Sequence, residues 1–176
     1  MNQINWRQYC LITIVIILAI ISINCQSNSN TENGIIPGPG RIINIANHVV
    51  INEVELNPSG SDSGYEWVEL YNPTAIDIDI SGWTIRSSGG GRTTWINIPD
   101  GTIISAAGFF CYTHNKQWLD NESEIVILED AEDIEIDRTP SLSDNRNDHN
   151  SWTRDPNGQD TDSIDDWTFM SSTKCR

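Results

Sequence analysis

The sequence predicts an all-β domain, folded as an antiparallel sandwich or barrel and preceded by an apolar N-terminal segment. Strand-like runs recur at intervals of roughly 8–12 residues, with clusters of Gly, Pro, Asn, Asp and Ser between them. Apolar and polar residues alternate within several runs, which is typical of strands that bury one face. The domain contains no stretch with the apolar period of a helix.

Residues 1–25 are predicted to be a signal peptide or a membrane anchor. Residues 11–23 are almost entirely apolar and follow a weakly positive start at Arg7. This run is shorter than the ~20 residues that span a bilayer, and it matches the apolar region of a signal peptide. A cleaved signal is favoured, with a retained anchor or a lipoprotein attached at Cys25 as alternatives. All three predict an extracellular or cell-surface protein that meets the membrane only through this segment.

The rest of the chain divides into a linker, a domain and a short end. Residues 26–47 are rich in Asn, Ser, Gly and Pro, and therefore predict a flexible linker. The predicted β-sandwich occupies residues 48–173, and residues 174–176 form the C-terminal end.

The first two strands of the domain are predicted from alternation. In the run HVVINEVEL, Val50, Val54 and Leu56 share one face, and Glu53 and Glu55 share the other. In the run YEWVELYN, Val68 and Leu70 share a face with Glu66, whereas Trp67, Glu69 and Tyr71 lie on the opposite face.

The later strands are predicted from alternation and from turn residues. Ile76, Ile78 and Ile80 are expected to point inward, with a turn or bulge at Ser81-Gly82 where the apolar parity changes. Residues 102–105 and 109–113 read as short strands, ESEIVILED as a buried run and DIEID as another alternating strand. The polar C-terminal stretch is expected to be loop-like, with aromatic anchors at Trp152, Trp167 and Phe169.

Several motifs resemble the lamin tail domain family. They are INEVELNPSG, EWVELYNPT, ISGWTI and IPDGTIISAAGFFCY, and the late SWTRDPNGQDTDSIDDWTF is similar to the tail of exported prokaryotic members. The resemblance covers residues 49–173 and implies an immunoglobulin-like β-sandwich. No catalytic constellation defines the family. The resemblance therefore implies an interaction module, as in lamins, or an accessory module of the kind that exported prokaryotic proteins append to nucleases or other hydrolases. The chain ends in Thr173-Lys174-Cys175, where those members usually have Thr-Pro-Gly.

The charge of the chain bears on its partners. The net charge of -15 favours cations or basic partners and disfavours binding to the phosphates of nucleic acids. We expect the partner to be a protein or a cell-surface polymer, and a solvated surface without a dedicated partner is the alternative.

The sequence predicts neither catalytic residues nor a bound cofactor. His48, His114 and His149 show no metal-ligand spacing with each other or with Cys. Glu66 and Glu69 are three positions apart on a predicted strand, so they face opposite ways and do not form a catalytic pair. We therefore expect a non-enzymatic protein.

Two binding hypotheses and one disulfide remain. Calcium is a candidate ligand for the loop oxygens of Asp155, Asn157, Asp160 and Asp162, although a structural turn explains the same residues. A glycan is a candidate ligand for the face of Trp67, Glu69 and Tyr71, although aromatic residues at this period usually pack in a core. Cys111 and Cys175 are expected to form a disulfide in an exported chain, with two unpaired thiols as the alternative.

Overall fold

The computed structural model describes residues 43–89 and 91–176, which form an immunoglobulin-like antiparallel β-sandwich. These residues contain no α-helix, and their helical element is a 3-10 turn at Ile164–Asp166. The all-β prediction is confirmed. The predicted signal or anchor at residues 1–25 and most of the predicted linker lie outside the described residues.

Eleven strands are found in the described residues. In chain order they are β1 (Val50–Glu55), β2 (Trp67–Tyr71), β3 (Ile78–Asp79), β4 (Thr84–Gly89), β5 (Arg92–Asn97), β6 (Ile103–Ile104), β7 (Phe109–Thr113), β8 (Val126–Glu129), β9 (Glu135–Arg138), β10 (Asn150–Arg154) and β11 (Trp167–Ser171). The predicted strand at 109–113 is confirmed, and β8 is buried throughout, as the apolar run predicts.

Two sheets form the sandwich. A five-stranded sheet has the order β11-β10-β1-β2-β7, a four-stranded sheet has the order β5-β4-β8-β9, and β3 and β6 form a two-stranded ribbon. On the inner face of the larger sheet, Val54 lies opposite Val68, and Leu70 opposite Phe110. Leu128 joins them in one buried cluster from the smaller sheet. The hydrophobic core therefore lies between the sheets, where apolar burial stabilises the fold.

A bulge in β1 changes the predicted face of one residue. The register with β2 shifts between Ile51 and Glu53, which places Asn52 in the bulge. Ile51 and Val54 therefore both reach the core cluster, and Val50 points to the other face, opposite Tyr71. The prediction that Val50 shares the face of Val54 is wrong, because a bulge inserts a residue into the alternation.

The segment after Pro73 is less regular than its alternation suggests. Ile80 is fully buried, but Ile76 is 68% exposed, so the prediction that Ile76 points inward is wrong. The Asn72 side chain explains this, since its amide donates to the Ile76 carbonyl at 2.8 Å and holds the chain in a turn. The predicted turn at Ser81-Gly82 is confirmed by Gly82, whose φ of 73° suits glycine.

The C-terminal stretch differs from the prediction. It forms β10 and β11 at one edge of the larger sheet, so a loop-like chain is the wrong description for these residues. Trp167 belongs to the core cluster and Trp152 packs against it, so these two act as anchors, and Phe169 lies against Trp152 with ring centroids 5.3 Å apart.

The domain extends slightly into the predicted linker. The Asn44 backbone N–H donates to the Gln159 side chain, and the Ala46 N–H donates to the Gly158 carbonyl, both at 2.9 Å. A helix with the length and apolarity to cross a membrane does not occur in residues 43–89 and 91–176.

Candidate binding cleft

The outer face of the larger sheet is unusually polar for a buried surface. Thr153, Glu53, Glu69 and Cys111 lie side by side on β10, β1, β2 and β7. Glu53 and Glu69 are fully buried at 0% and 1% exposure. Burying a carboxylate is costly unless hydrogen-bond donors surround it, so this face requires donors from another part of the chain.

Residues 172–175, which we name the C-terminal strap, supply those donors. The Ser172 N–H donates to the His149 carbonyl at 3.0 Å, and the Thr173 N–H donates to Glu53 Oε1 at 2.8 Å. The Cys175 N–H then donates to Glu69 Oε2 at 2.5 Å. The strap therefore leaves β11 at one edge of the sheet and crosses its outer face over two buried carboxylates.

A disulfide joins the end of the strap to the opposite edge of the sheet. The structure brings together the two cysteines that the sequence analysis pairs, with the Cα atoms of Cys111 and Cys175 6.1 Å apart. The bond closes a sequence separation of 64 residues. Burial raises the pKa of the neighbouring Glu69 carboxyl, and the donors from Asn52 and Cys175 oppose that rise. The strap is thus held by covalent and charge-assisted contacts at the same point.

An open cleft of about 370 Å³ lies beside the strap. Its lining combines acidic, basic and aromatic side chains, including Glu55, Tyr65, Trp67, Asp148, His149 and Lys174. Tyr65 is 64% exposed, whereas Trp67 is 4% exposed. We name this feature the acidic cleft.

The strap places a lysine ammonium in the acidic cleft. Lys174 Nζ donates to Thr113 Oγ1 at 2.8 Å and lies 5.2 Å from the centre of the Trp67 ring. Desolvation lowers the pKa of Lys174, and the nearby Glu55 carboxyl opposes this shift. The cleft therefore holds a cation through an aromatic face and a hydroxyl, with a carboxyl close by.

Glu55 is the most perturbed acid of the cleft. Glu55 is 3% exposed, and burial is the main reason that the pKa of its carboxyl rises to about 8. Repulsion from Asp144, Asp148 and Glu53 adds to the rise, and the Asn57 N–H opposes it from 3.3 Å. At neutral pH the folded protein thus favours a protonated Glu55.

The predicted glycan face is covered. Trp67 lies beneath Lys174, Glu69 accepts from the strap, and Tyr71 stacks on Phe109 at 4.7 Å between ring centroids. The structure places the three side chains in one row of the same face, but it does not present them together as an open aromatic platform.

The predicted calcium ligands are held by different partners. Asp160 Oδ1 accepts from Arg154 at 3.1 Å, and Asn157 Oδ1 accepts from Asn52 at 3.1 Å. Asp162 is exposed. The carboxylates of Asp155, Asp160 and Asp162 do not come within 4.8 Å of one another as a group. The structure therefore does not bring these three carboxylates around one point, and Asp160 instead pairs with the Arg154 guanidinium.

A single cluster of potential metal-ligating atoms occurs in residues 43–89 and 91–176. It comprises Glu69, Cys111 and Cys175. Both sulfurs of this cluster are joined in the disulfide, so they are not thiolates and bind metal poorly.

Sequence reasoning missed Glu55 and Lys174 as site residues. Glu55 reads as an exposed acid of an alternating strand, and Lys174 lies 119 positions further along the chain (174 minus 55). The predicted Cys111–Cys175 disulfide could have indicated this site, because it holds Lys174 against β7. The sequence also gave no sign that Trp95 is 61% exposed and stacks on Arg86 at 4.9 Å.

Comparison with known proteins identifies one related family. The family model for the Lamin Tail Domain matches residues 44–165, which is more than half of the chain. No curated protein matches the sequence. The matched region begins where the described chain first bonds to the domain, and it ends before β11 and the strap.

Proposed function

The chain belongs to the lamin tail domain family, and from this premise we propose that it is a non-enzymatic binding module at the cell surface. The partner is a basic protein or a cationic surface polymer, and the acidic cleft is its binding site. One observation carries the proposal: the cleft is open, and it brings Glu55 and Asp148 together beside aromatic side chains.

Electrostatics supports the choice of a basic partner. The chain has a net charge of -15, so its field attracts cations and repels polyanions such as nucleic acids. Inside the cleft, repulsion between Glu55 and Asp148 contributes to the raised pKa of Glu55. A cationic ligand offsets the repulsion that ionisation of Glu55 would create, so that both carboxyl groups can then contribute to affinity.

Two features support a location outside the cytoplasm. Residues 1–25 carry the pattern of a signal or anchor segment. The Cys111–Cys175 disulfide suits an oxidising compartment, where such bonds persist. Both are expected of an exported domain whose partner lies at the cell surface.

An accessory module of a hydrolase, or an uncharacterised hydrolase, is the competing function. One observation favours it: the Lys174 amine has a lowered pKa and lies 2.8 Å from the Thr113 hydroxyl, as a base lies near a nucleophile. Lys174 donates to that oxygen, however, and the Trp67 ring stabilises its charged form. A screen for nuclease, esterase and glycosidase activity on purified protein, with Thr113→Val as control, tests this function.

The binding proposal is tested by calorimetric titration with capped tetralysine at low salt. We expect binding to the wild-type protein and its loss in the double variant Glu55→Gln/Asp148→Asn. The control Asp100→Asn/Glu132→Gln removes the same number of acids at exposed positions outside the cleft. Equal binding by the two double variants would reject the cleft, because general charge would then account for the affinity.

A further inference from the structure

We propose that the acidic cleft selects a primary alkylammonium group, such as a lysine side chain, and that Lys174 is its built-in competitor. This inference rests on the proposed function and specifies the chemistry of the ligand. It starts from the cation that the cleft already holds.

The surroundings of Lys174 Nζ match the needs of an ammonium ion. The Trp67 ring offers its negative face at 5.2 Å, and the Thr113 hydroxyl accepts one N–H at 2.8 Å. The Glu55 carboxyl lies near enough to favour the charged amine. A primary ammonium has three donors on a compact charge, so it can use the hydroxyl and the ring at the same time.

Other cations suit this arrangement less well. A quaternary ammonium has no N–H and would lose the hydrogen bond to Thr113. A guanidinium binds best to two parallel acceptors, as in a carboxylate, whereas the acceptor that Lys174 Nζ uses is the single hydroxyl of Thr113. The site therefore favours lysine over arginine and over trimethyllysine.

The competitor can leave without displacing the strap. Residue 174 is exposed overall, and its contacts in the cleft are made by the side chain. The backbone of the strap is held on either side of it, by Thr173 on Glu53 and by Cys175 on Glu69 and Cys111. A rotation of the Lys174 side chain thus vacates the ammonium site while the disulfide keeps the strap in place.

This arrangement lowers the apparent affinity for a ligand amine. A ligand binds the fraction of molecules whose Lys174 side chain has left the cleft, so the apparent Kd rises as that fraction falls. The contact with an aromatic ring alone favours a cation by roughly tenfold over its free state, and the desolvation that lowers the Lys174 pKa opposes this gain. Removal of the Lys174 charge should therefore tighten the binding of an external lysine by up to about tenfold.

The test compares Lys174→Met with Lys116→Met by titration with capped tetralysine and capped tetra-arginine. Lys116 is exposed and outside the cleft, so its variant makes the same change in net charge. We expect Lys174→Met to bind tetralysine up to roughly tenfold more tightly than Lys116→Met does, with a smaller gain for tetra-arginine. Thr113→Val in the Lys174→Met background should reduce the preference for lysine.

The outcomes separate this inference from the proposed function. If tetralysine binding depends on Glu55 and Asp148 but Lys174→Met binds no more tightly than Lys116→Met, the inference fails and the proposed function stands. An equal gain for both peptides would also reject selection of the ammonium group. If neither peptide binds any variant, both fail.

Discussion

Replacement of Cys111 and Cys175 by serine should substantially destabilise the domain. The disulfide closes a separation of 64 residues, and the loss of loop-closure entropy for that length corresponds to ~4 kcal/mol in the free energy of unfolding. Measured effects are usually smaller, so we expect a loss of about 2–4 kcal/mol. For a domain of this size, the midpoint of thermal unfolding should fall by roughly 10 °C.

Urea unfolding followed by tryptophan fluorescence provides the measurement. The midpoint of Cys111→Ser/Cys175→Ser should fall and the slope should rise, because an unfolded chain without the cross-link is less compact and exposes more surface. Wild-type protein treated with a reductant should match the variant, which controls for effects of the serines. An unchanged midpoint in both samples would refute the idea that the disulfide holds the strap against β7.

Three further substitutions test the buried network and the pH dependence. Glu55→Gln should flatten the dependence of the free energy of unfolding on pH between pH 5 and 9. In the wild-type protein, the raised Glu55 pKa of about 8 contributes stability that is complete below pH 4.5, and this contribution is lost as the pH rises through 8. A wild-type urea midpoint that does not fall over this range would contradict the assignment. Arg154→Met should cost about 3–5 kcal/mol, because it leaves the buried Asp137 carboxylate without the guanidinium at 3.0 Å. A loss of under ~1 kcal/mol in thermal unfolding would show that this pair is dispensable. Gly158→Ala should cost roughly 1–3 kcal/mol, because φ is 75° and the new Cβ would lie 3.1 Å from the Tyr71 ring. A midpoint equal to that of wild type would argue against this packing.

Much of the sandwich could be predicted from local patterns. The alternation around β2 put Val68 and Leu70 on one face, which the structure shows to be the core face, and it separated Glu66 from Glu69. Glu66 indeed turns away from Glu69, and its carboxylate accepts the Trp118 N–H at 2.6 Å. These predictions succeed because β2 pairs with β7 without a bulge, so the face of each residue follows from its place in the alternation.

The elements that were missed depend on distant residues. The bulge at Asn52 is stabilised from far along the chain, since its side chain bonds Glu69 and the Gly158 N–H, both at 2.9 Å. β10 has few apolar residues because Ser151 lies under the polar face, where it donates to Glu53 at 2.5 Å. No local pattern contains that information, so the final strands read as a loop.

The candidate site was least predictable for the same reason. The acidic cleft forms where β1 and β2 meet the strap, and its residues are separated by most of the domain. The sequence did suggest the face of Trp67 and the Cys111–Cys175 bond. It could not show that the strap would cover that face and leave a cation on the Trp67 ring.

NMR can show whether the acidic cleft binds an amine at the position of Lys174. Amide and indole N–H signals of labelled protein would be followed during titration with capped tetralysine at pH 7. We expect shifts at the Trp67 indole and the Thr113 amide, with the exposed Trp95 indole unchanged. Shifts at Trp95 without any at Trp67, or no shifts at all, would contradict binding at this position.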